Sequence, residues 1–272
     1  LLAAFIGVER RAARPMLDLT LFRLPAFAGV QLLAAAPAFS FVVLLVLLPA
    51  RFIGIEGYSA FDAGRMMIAL SAPMLVLPVL AGMAAQRIAA AHICACGLLL
   101  AAAGLLWLST CMPGQPPASL LGPLLLIGCG ISLPWGLMDG LAISVVPVER
   151  AGMAAGIFNT TRVAGEGLAL AIVSAVLGTF TVAALDGAGV GAQQAAQAGP
   201  FLALGELRHA ATLLPQAGAA ELAQAYGTAF RHLLYVLASI TTASALLILT
   251  FLRHPAPAAT KKAALPACDA PS

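Results

Sequence analysis

The chain has 272 residues, 61% of them hydrophobic and only 9% charged, with a formal net charge of +3. Its mean hydropathy is +1.00, whereas about 25% of the residues of a typical soluble domain are charged. This composition excludes a soluble protein, and nucleic-acid binding with it, and predicts an integral membrane protein.

The first 26 residues are predicted to hold the end of a helix and a cytoplasmic connector. The chain starts inside an apolar run, Leu1–Val8, and continues into a polar segment that carries four arginines up to residue 26. The run looks like the tail of a helix whose beginning is missing. We therefore expect the sequence to be a fragment.

Continuous apolar runs of about 20 residues follow, the length of a membrane-spanning helix rather than of a barrel strand. They predict an all-α integral membrane fold with six complete transmembrane helices. The predicted spans cover residues 27–49, 61–85, 93–111, 120–146, 153–179 and 229–252, and residues 253–272 form a predicted cytoplasmic tail.

A long polar loop, residues 185–228, separates the last two predicted spans and is rich in Ala, Gln and Gly. Apolar residues spaced along it predict a short amphipathic helix at the membrane interface. These residues are Phe201, Leu204, Leu207, Leu213 and Leu214.

The distribution of basic residues predicts the orientation, because cytoplasmic connectors are enriched in Lys and Arg. Nine basic residues flank the spans on one side, namely Arg10, Arg11, Arg14, Arg23, Arg87, Arg150, Arg253, Lys261 and Lys262. Four lie on the other side, namely Arg51, Arg65, Arg208 and Arg231. We expect a multi-pass membrane protein with its C-terminus in the cytoplasm and the long loop outside.

Three ionisable residues interrupt the apolar spans: Asp139 in the fourth, and Arg162 and Glu166 in the fifth. A charge near the bilayer centre costs about 2.5–3.5 kcal/mol on insertion scales. Such residues usually face a bundle interior or an aqueous cavity, where they pair or move ions. We therefore expect these three residues to carry the function.

Their depths can be estimated from the helical rise. Asp139 lies about 12 Å from Pro147, and Arg162 lies about 14 Å from Met153, at 1.5 Å per residue. Both distances start from the same connector, so the two residues are predicted to be neighbours. Glu166 is one turn beyond Arg162 and can also reach it.

Two carboxylates then compete for one guanidinium, and the unpaired acid can carry a proton. A swap of partners between inward-open and outward-open states would couple proton release to substrate movement. The alternative is that Arg162 and Glu166 neutralise each other as a purely structural pair. Asp139 has no basic partner on its own helix, which favours a functional role for it.

Three other residues are candidates for the wall of a substrate cavity. Trp135 can contact planar or cationic molecules, although a packing role is the simpler interpretation. Asn159 and Gln31 can donate into a cavity or hydrogen-bond between helices, and the sequence does not separate these roles.

Three segments resemble one known family. They are residues 9–23 (ERRAARPMLDLTLFR), residues 57–64 (GYSAFDAG) and residues 147–165 (PVERAGMAAGIFNTTRVAG). In order and spacing they are similar to the C-terminal half of the fourteen-span drug:proton antiporters of the major facilitator superfamily. Residues 1–8 would then be the end of an extra helix between the two halves.

The resemblance implies a multidrug efflux antiporter of the bacterial inner membrane that works by alternating access and is driven by the proton gradient, without a cofactor. Its partners would be a small-molecule substrate, protons, the lipid bilayer and the missing N-terminal half. The first, second, fourth and fifth spans would line the central cavity. Arg87, Glu149 and Arg150 occupy gate and connector positions of the family, but Gln86 stands where an acidic gate residue is common.

Other functions stay open at this stage. The same fold can move an endogenous metabolite or a lipid, or the chain can be a non-transporting scaffold. An intramembrane enzyme is disfavoured, because neither His-Glu-x-x-His nor Gly-x-Gly-Asp occurs. No metal site is predicted, since Cys94-x-Cys96 near His92 lacks the usual zinc spacing.

Overall fold

The computed structural model describes residues 25–251, and within this range every regular element is a helix. Six helices are long and apolar enough to cross a membrane. The prediction of an all-α membrane fold with six spans is therefore confirmed. The predicted end of a preceding helix, the arginine-rich part of the first connector and the C-terminal tail lie outside the described residues.

The six spans are α1 (Pro25–Ile55), α2 (Ala60–Ala84), α3 (Ala90–Leu108), α4 (Ala118–Ser144), α5 (Val148–Gly187) and α8 (Ala219–Phe251). Two shorter helices, α6 (Ala192–Ala203) and α7 (Leu207–Leu213), lie between α5 and α8. In the bundle, α3 packs against α4 and α8, α1 packs against α5 and α8, and α2 packs against α4.

Proline and glycine residues interrupt three of the spans. A π-helical turn, Ala38–Val42, follows Pro37 in α1, and a 3₁₀ turn that contains Pro73 divides α2. The first helical segment of α4 ends at Trp135, one residue after Pro134, and the helix resumes at Met138. Proline has no backbone N–H and disturbs the regular hydrogen-bond ladder. The break in α4 places Asp139 in the first turn of the resumed segment.

Small residues set the contact between α3 and α4. A Cβ atom added to Gly130 would overlap the backbone of Ala101 and Gly97, and one added to Gly104 would overlap Ile127. Glycine at these positions lets the two helices approach closely, which is the usual way in which membrane helices pack.

Gly130→Ala should therefore lower the free energy of unfolding by about 1–3 kcal/mol, as other overpacking substitutions do. Gly178→Ala is the matched control, because the added methyl group would meet nothing within 4 Å. Thermal unfolding in detergent measures both effects. Equal melting temperatures for the two variants would show that the α3–α4 contact is not tightly packed.

The segment predicted as a long loop is mostly folded. The α-helical part of α5, Ala151–Gly187, has 37 residues and is about 55 Å long, whereas the hydrocarbon core is about 30 Å thick. The ends of α5 and α8 therefore extend beyond the membrane. Together with them, residues 188–218, which we call the cap, form a small helical layer.

The cap differs from the single interfacial helix that the sequence predicts. It contains two helices, and buried residues such as Ala198, Leu202 and Ala210 hold them against the bundle. Of the apolar residues that predict the interfacial helix, Leu214 is buried and Leu204 is exposed. The cap was missed because alanine, which strongly favours helices, adds little to an apolar pattern.

Burial is uneven among the spans. In the most apolar 18-residue stretch of α2 and of α5, only 28% of the residues are buried, against 61% in the corresponding stretches of α1 and α3. The two helices therefore present open faces, and α5 carries two of the three ionisable residues predicted to be functional.

Candidate functional site

Asp139 and Arg162 lie side by side on α4 and α5, as their estimated depths predict. Arg162 Nη1 is 3.8 Å from Asp139 Oδ1. The Arg162 side chain is 25% exposed and the Asp139 side chain is 70% exposed. The pair therefore lies on an open face of the bundle and not in its sealed core.

A second contact orients the guanidinium. Arg162 Nη2 donates a hydrogen bond of 2.9 Å to Asn159 Oδ1, one turn earlier on α5. The Phe158 ring centroid lies 6.0 Å from Arg162 Cζ. Asn159 was predicted as a cavity donor, but in this conformation its side-chain oxygen is an acceptor that holds Arg162 towards Asp139.

Glu166 is half-buried and one turn beyond Arg162 on α5. Among residues 25–251 it makes no ion pair, so Arg162 is paired with Asp139 alone. Side chains on a helix lean towards its N-terminus, so Arg162 points back to Asn159 and away from Glu166. One acid is thus paired and one is unpaired, while the functional roles of all three residues stay predictions.

Gln31 and Trp135, the other two candidates for the cavity wall, differ in how their side chains are used. Gln31 on α1 is buried, and neither its side-chain nitrogen nor its side-chain oxygen has a hydrogen-bond partner within the described part of the chain. Trp135 is half-buried and meets Phe41 edge to face, with ring centroids 6.0 Å apart. Trp135 therefore packs, whereas Gln31 has unused hydrogen-bonding capacity.

The predicted gate and connector residues lie at one end of the bundle. Arg87 is exposed in the turn after α2, and its backbone N–H donates to the Ala84 carbonyl. Glu149 and Arg150 are exposed in a 3₁₀ turn that leads into α5. Their role as a gate stays a prediction.

At the C-terminal end of α1, the structure contains a buried polar cluster that the sequence did not indicate. Arg51, expected in an outer connector, is 1% exposed. Its Nε donates to Glu56 Oε1 at 2.8 Å and its Nη2 donates to the Cys111 carbonyl at 2.8 Å. The Glu56 side chain is 4% exposed, so this is a buried ion pair with two short hydrogen bonds.

A π-helical turn explains why this pair was missed. In an α-helix, side chains three or four residues apart meet, and Arg51 and Glu56 are five apart. The turn Arg51–Ile55 is π-helical, and the Glu56 N–H donates to the Arg51 carbonyl at 3.0 Å. This i to i+5 bond brings the two side chains together. The available signal was an Arg and a Glu five residues apart where an apolar run ends.

Aromatic rings enclose the cluster. Arg51 Cζ lies 5.2 Å from the centroid of the Phe230 ring, and Tyr226 stacks on Phe230 at 5.7 Å. The Tyr226 hydroxyl is buried and has no hydrogen-bond partner among residues 25–251. Leaving such a group unbonded costs about 1–3 kcal/mol.

Tyr58 closes the cluster towards solvent. Tyr58 lies in the connector after α1, and its ring stacks on the ring of Phe52 with the two centroids 5.9 Å apart. Burial raises the pKa of its hydroxyl, and so does the negative charge of the nearby Glu56 side chain. We name Arg51, Glu56, Tyr226 and Phe230, with the Cys111 carbonyl, the Arg51 cluster.

Comparison with known proteins settles the family. Residues 5–170 match the sequence profile of the Major Facilitator Superfamily. The chain belongs to the major facilitator superfamily. This membership confirms the resemblance predicted from residues 9–165, and it agrees with the prediction that the chain is not an enzyme.

Curated relatives of this chain have names that refer to multidrug resistance, export or drug efflux. Multidrug resistance protein Stp of Mycobacterium tuberculosis is 33% identical over 185 residues, which cover 68% of this chain and 34% of that protein. Cephamycin export protein CmcT of Amycolatopsis lactamdurans is 31% identical over 66% of this chain and 38% of that protein. Drug efflux pump JefA of Mycobacterium tuberculosis is 29% identical over 68% of this chain and 36% of that protein. The chain thus spans about a third of the length of these relatives.

Proposed function

We propose that the chain is the C-terminal half of a secondary active transporter that exports small amphipathic compounds, drugs among them, in exchange for protons. Family membership and the names of the relatives support this proposal. The observation that carries it is the open face of α4 and α5, where Arg162 holds Asp139 and leaves Glu166 unpaired.

The chemistry follows from one permanent cation and two acids. Arginine stays protonated in proteins, so Arg162 is a fixed positive charge. An acid that loses contact with it in apolar surroundings binds a proton more readily. In our proposal the partner of Arg162 alternates between Asp139 and Glu166 as the transporter changes between its two open states. One proton that crosses 100 mV supplies about 2.3 kcal/mol for this change.

The open faces of α2 and α5 suit contact with a second half and with a central cavity. The N-terminal half of such a transporter would cover these faces, and α1, α2, α4 and α5 would line the cavity. Gln31 would supply its unused hydrogen-bonding groups to the substrate or to water, and Asn159 would position Arg162. The substrate would therefore meet a mixed polar and apolar wall.

We further propose that the connectors with Arg87, Glu149 and Arg150 form a cytoplasmic gate in the inner membrane. The count of basic residues supports this orientation. Arg51 is neutralised by Glu56, so nine basic residues on the cytoplasmic side stand against three outside. The C-terminus would then be cytoplasmic and the cap external.

The proposal is tested by reconstituting the intact protein in liposomes and measuring efflux of a lipophilic cationic dye under an imposed pH gradient. The gradient should drive dye uphill, and an ionophore that collapses it should stop this movement. Dye flux that ignores the pH gradient would contradict proton coupling.

A further inference from the structure

The Arg51 cluster joins three segments that are distant in the sequence. Arg51 and Glu56 belong to the end of α1, the Cys111 carbonyl to the segment after α3, and Phe230 to α8. Arg51 is the residue that contacts all three. A shift of any one segment therefore changes a contact of the same guanidinium.

The Tyr226 hydroxyl is the unsatisfied member of this cluster. Tyr226 stacks on Phe230, whose ring lies against the Arg51 guanidinium, yet the Tyr226 hydroxyl has no hydrogen-bond partner in the described range. Buried hydroxyls are almost always bonded. The Glu56 carboxylate is bound to the same guanidinium against which Phe230 lies, so a displacement that brings Tyr226 to Glu56 would give this donor an acceptor.

The surroundings leave room for that displacement. A cavity of about 840 Å³ lies beside Glu56 and Tyr58, between residues 112–117 and the start of α8. Gly227, the residue after Tyr226, touches Met112 and Pro113 so closely that a Cβ atom would overlap them. Movement of α8 at Tyr226 is therefore linked to movement of the segment that follows Cys111.

We propose that the Arg51 cluster is a two-state latch. In the conformation described here, Arg51 holds Glu56 and the Cys111 carbonyl, and the Tyr226 hydroxyl is unbonded. In the second conformation, α8 and residues 112–113 shift into the cavity, Tyr226 donates to Glu56, and Arg51 releases the Cys111 carbonyl. The latch stands apart from the Asp139–Arg162 pair and does not depend on which compound is carried.

The Cys111 thiol is the natural reporter of the latch. Cys111 is 6% exposed and becomes accessible when its segment is released. The intact protein is used with every cysteine except Cys111 replaced by Ser, Cys94, Cys96, Cys129 and Cys268 among them, and labelling of Cys111 by N-ethylmaleimide is timed. Tyr226→Phe removes a hydrogen bond that exists only in the second conformation, so labelling should slow by roughly three- to tenfold and the melting temperature should rise.

Tyr235→Phe is the matched control, because Tyr235 is on the same helix and 44% exposed. This substitution should change neither the labelling rate of Cys111 nor the melting temperature. A second arm places Tyr226→Phe in a Glu56→Gln background, where the acceptor has lost its charge, and the slowing should fall to about two- to threefold.

Several results would overturn the latch. Faster labelling or a lower melting temperature in Tyr226→Phe would mean that the hydroxyl is bonded in the described conformation. An unchanged labelling rate and melting temperature would mean that the Tyr226 hydroxyl affects the stability of neither conformation. Undiminished slowing in the Glu56→Gln background would mean that Glu56 is not the acceptor. If the Glu56→Gln protein does not fold, the comparison of Tyr226→Phe with Tyr235→Phe decides alone.

Discussion

Glu166→Gln should lower the steady-state gradient of an exported compound about 50-fold at a membrane potential of 100 mV. One proton at this potential contributes about 2.3 kcal/mol, and each 1.4 kcal/mol changes a concentration ratio tenfold. Glutamine has the shape of glutamate but cannot take up and release a proton. If Glu166 carries the coupled proton, the variant loses this contribution and keeps the site intact.

The measurement is dye efflux from liposomes that contain the intact protein. Exchange of dye across the membrane without a gradient should continue in Glu166→Gln, because that exchange needs no net proton movement. Glu206→Gln, at an exposed acid before α7, is the matched control and should behave as the wild type. Wild-type gradients in both Glu166→Gln and Asp139→Asn would leave these acids with a structural role.

Arg51→Leu should lower the free energy of unfolding by about 3–5 kcal/mol, the range found when one partner of a buried ion pair is removed. Glu56 would remain buried without its counter-charge, and the Cys111 carbonyl would lose its donor. Thermal or denaturant unfolding of the purified protein measures this loss.

The double variant Arg51→Leu, Glu56→Leu separates pairing from packing. Replacing both members of a buried pair by apolar residues is often close to neutral, so most of the stability should return. Arg208→Leu, at an exposed arginine of α7, controls for the loss of charge alone. A double variant as unstable as Arg51→Leu would show that the pair itself is not what holds this end of the bundle.

Hydropathy predicted the six spans because a bilayer imposes a length and a polarity on any helix that crosses it. The contact of Asp139 with Arg162 was predicted for an equally simple reason. Both helices start from the connector at Pro147, so the constant helical rise fixes the two depths. The lack of an Arg162–Glu166 pair was not predicted, because it depends on the direction in which the guanidinium points along α5.

The Arg51 cluster was not predictable from the same rules. A charge at the end of an apolar run is normally in a connector, and side chains five apart do not meet on an α-helix. Arg51 is buried where a π-helical turn brings Glu56 to it and where it meets Cys111 and Phe230 from distant segments. Such contacts between distant segments leave no periodic trace in the sequence.

Substrate-induced proton release tests the proposed coupling most directly. The intact, purified protein is mixed with a lipophilic cationic dye in weakly buffered detergent solution, and the pH change is recorded. If Asp139 and Glu166 share Arg162 and one of them holds the exchangeable proton, dye binding should release a proton from the wild type. The Asp139→Asn, Glu166→Gln double variant should then bind dye and release none. Equal proton release from the wild type and the double variant would contradict the role of these two acids.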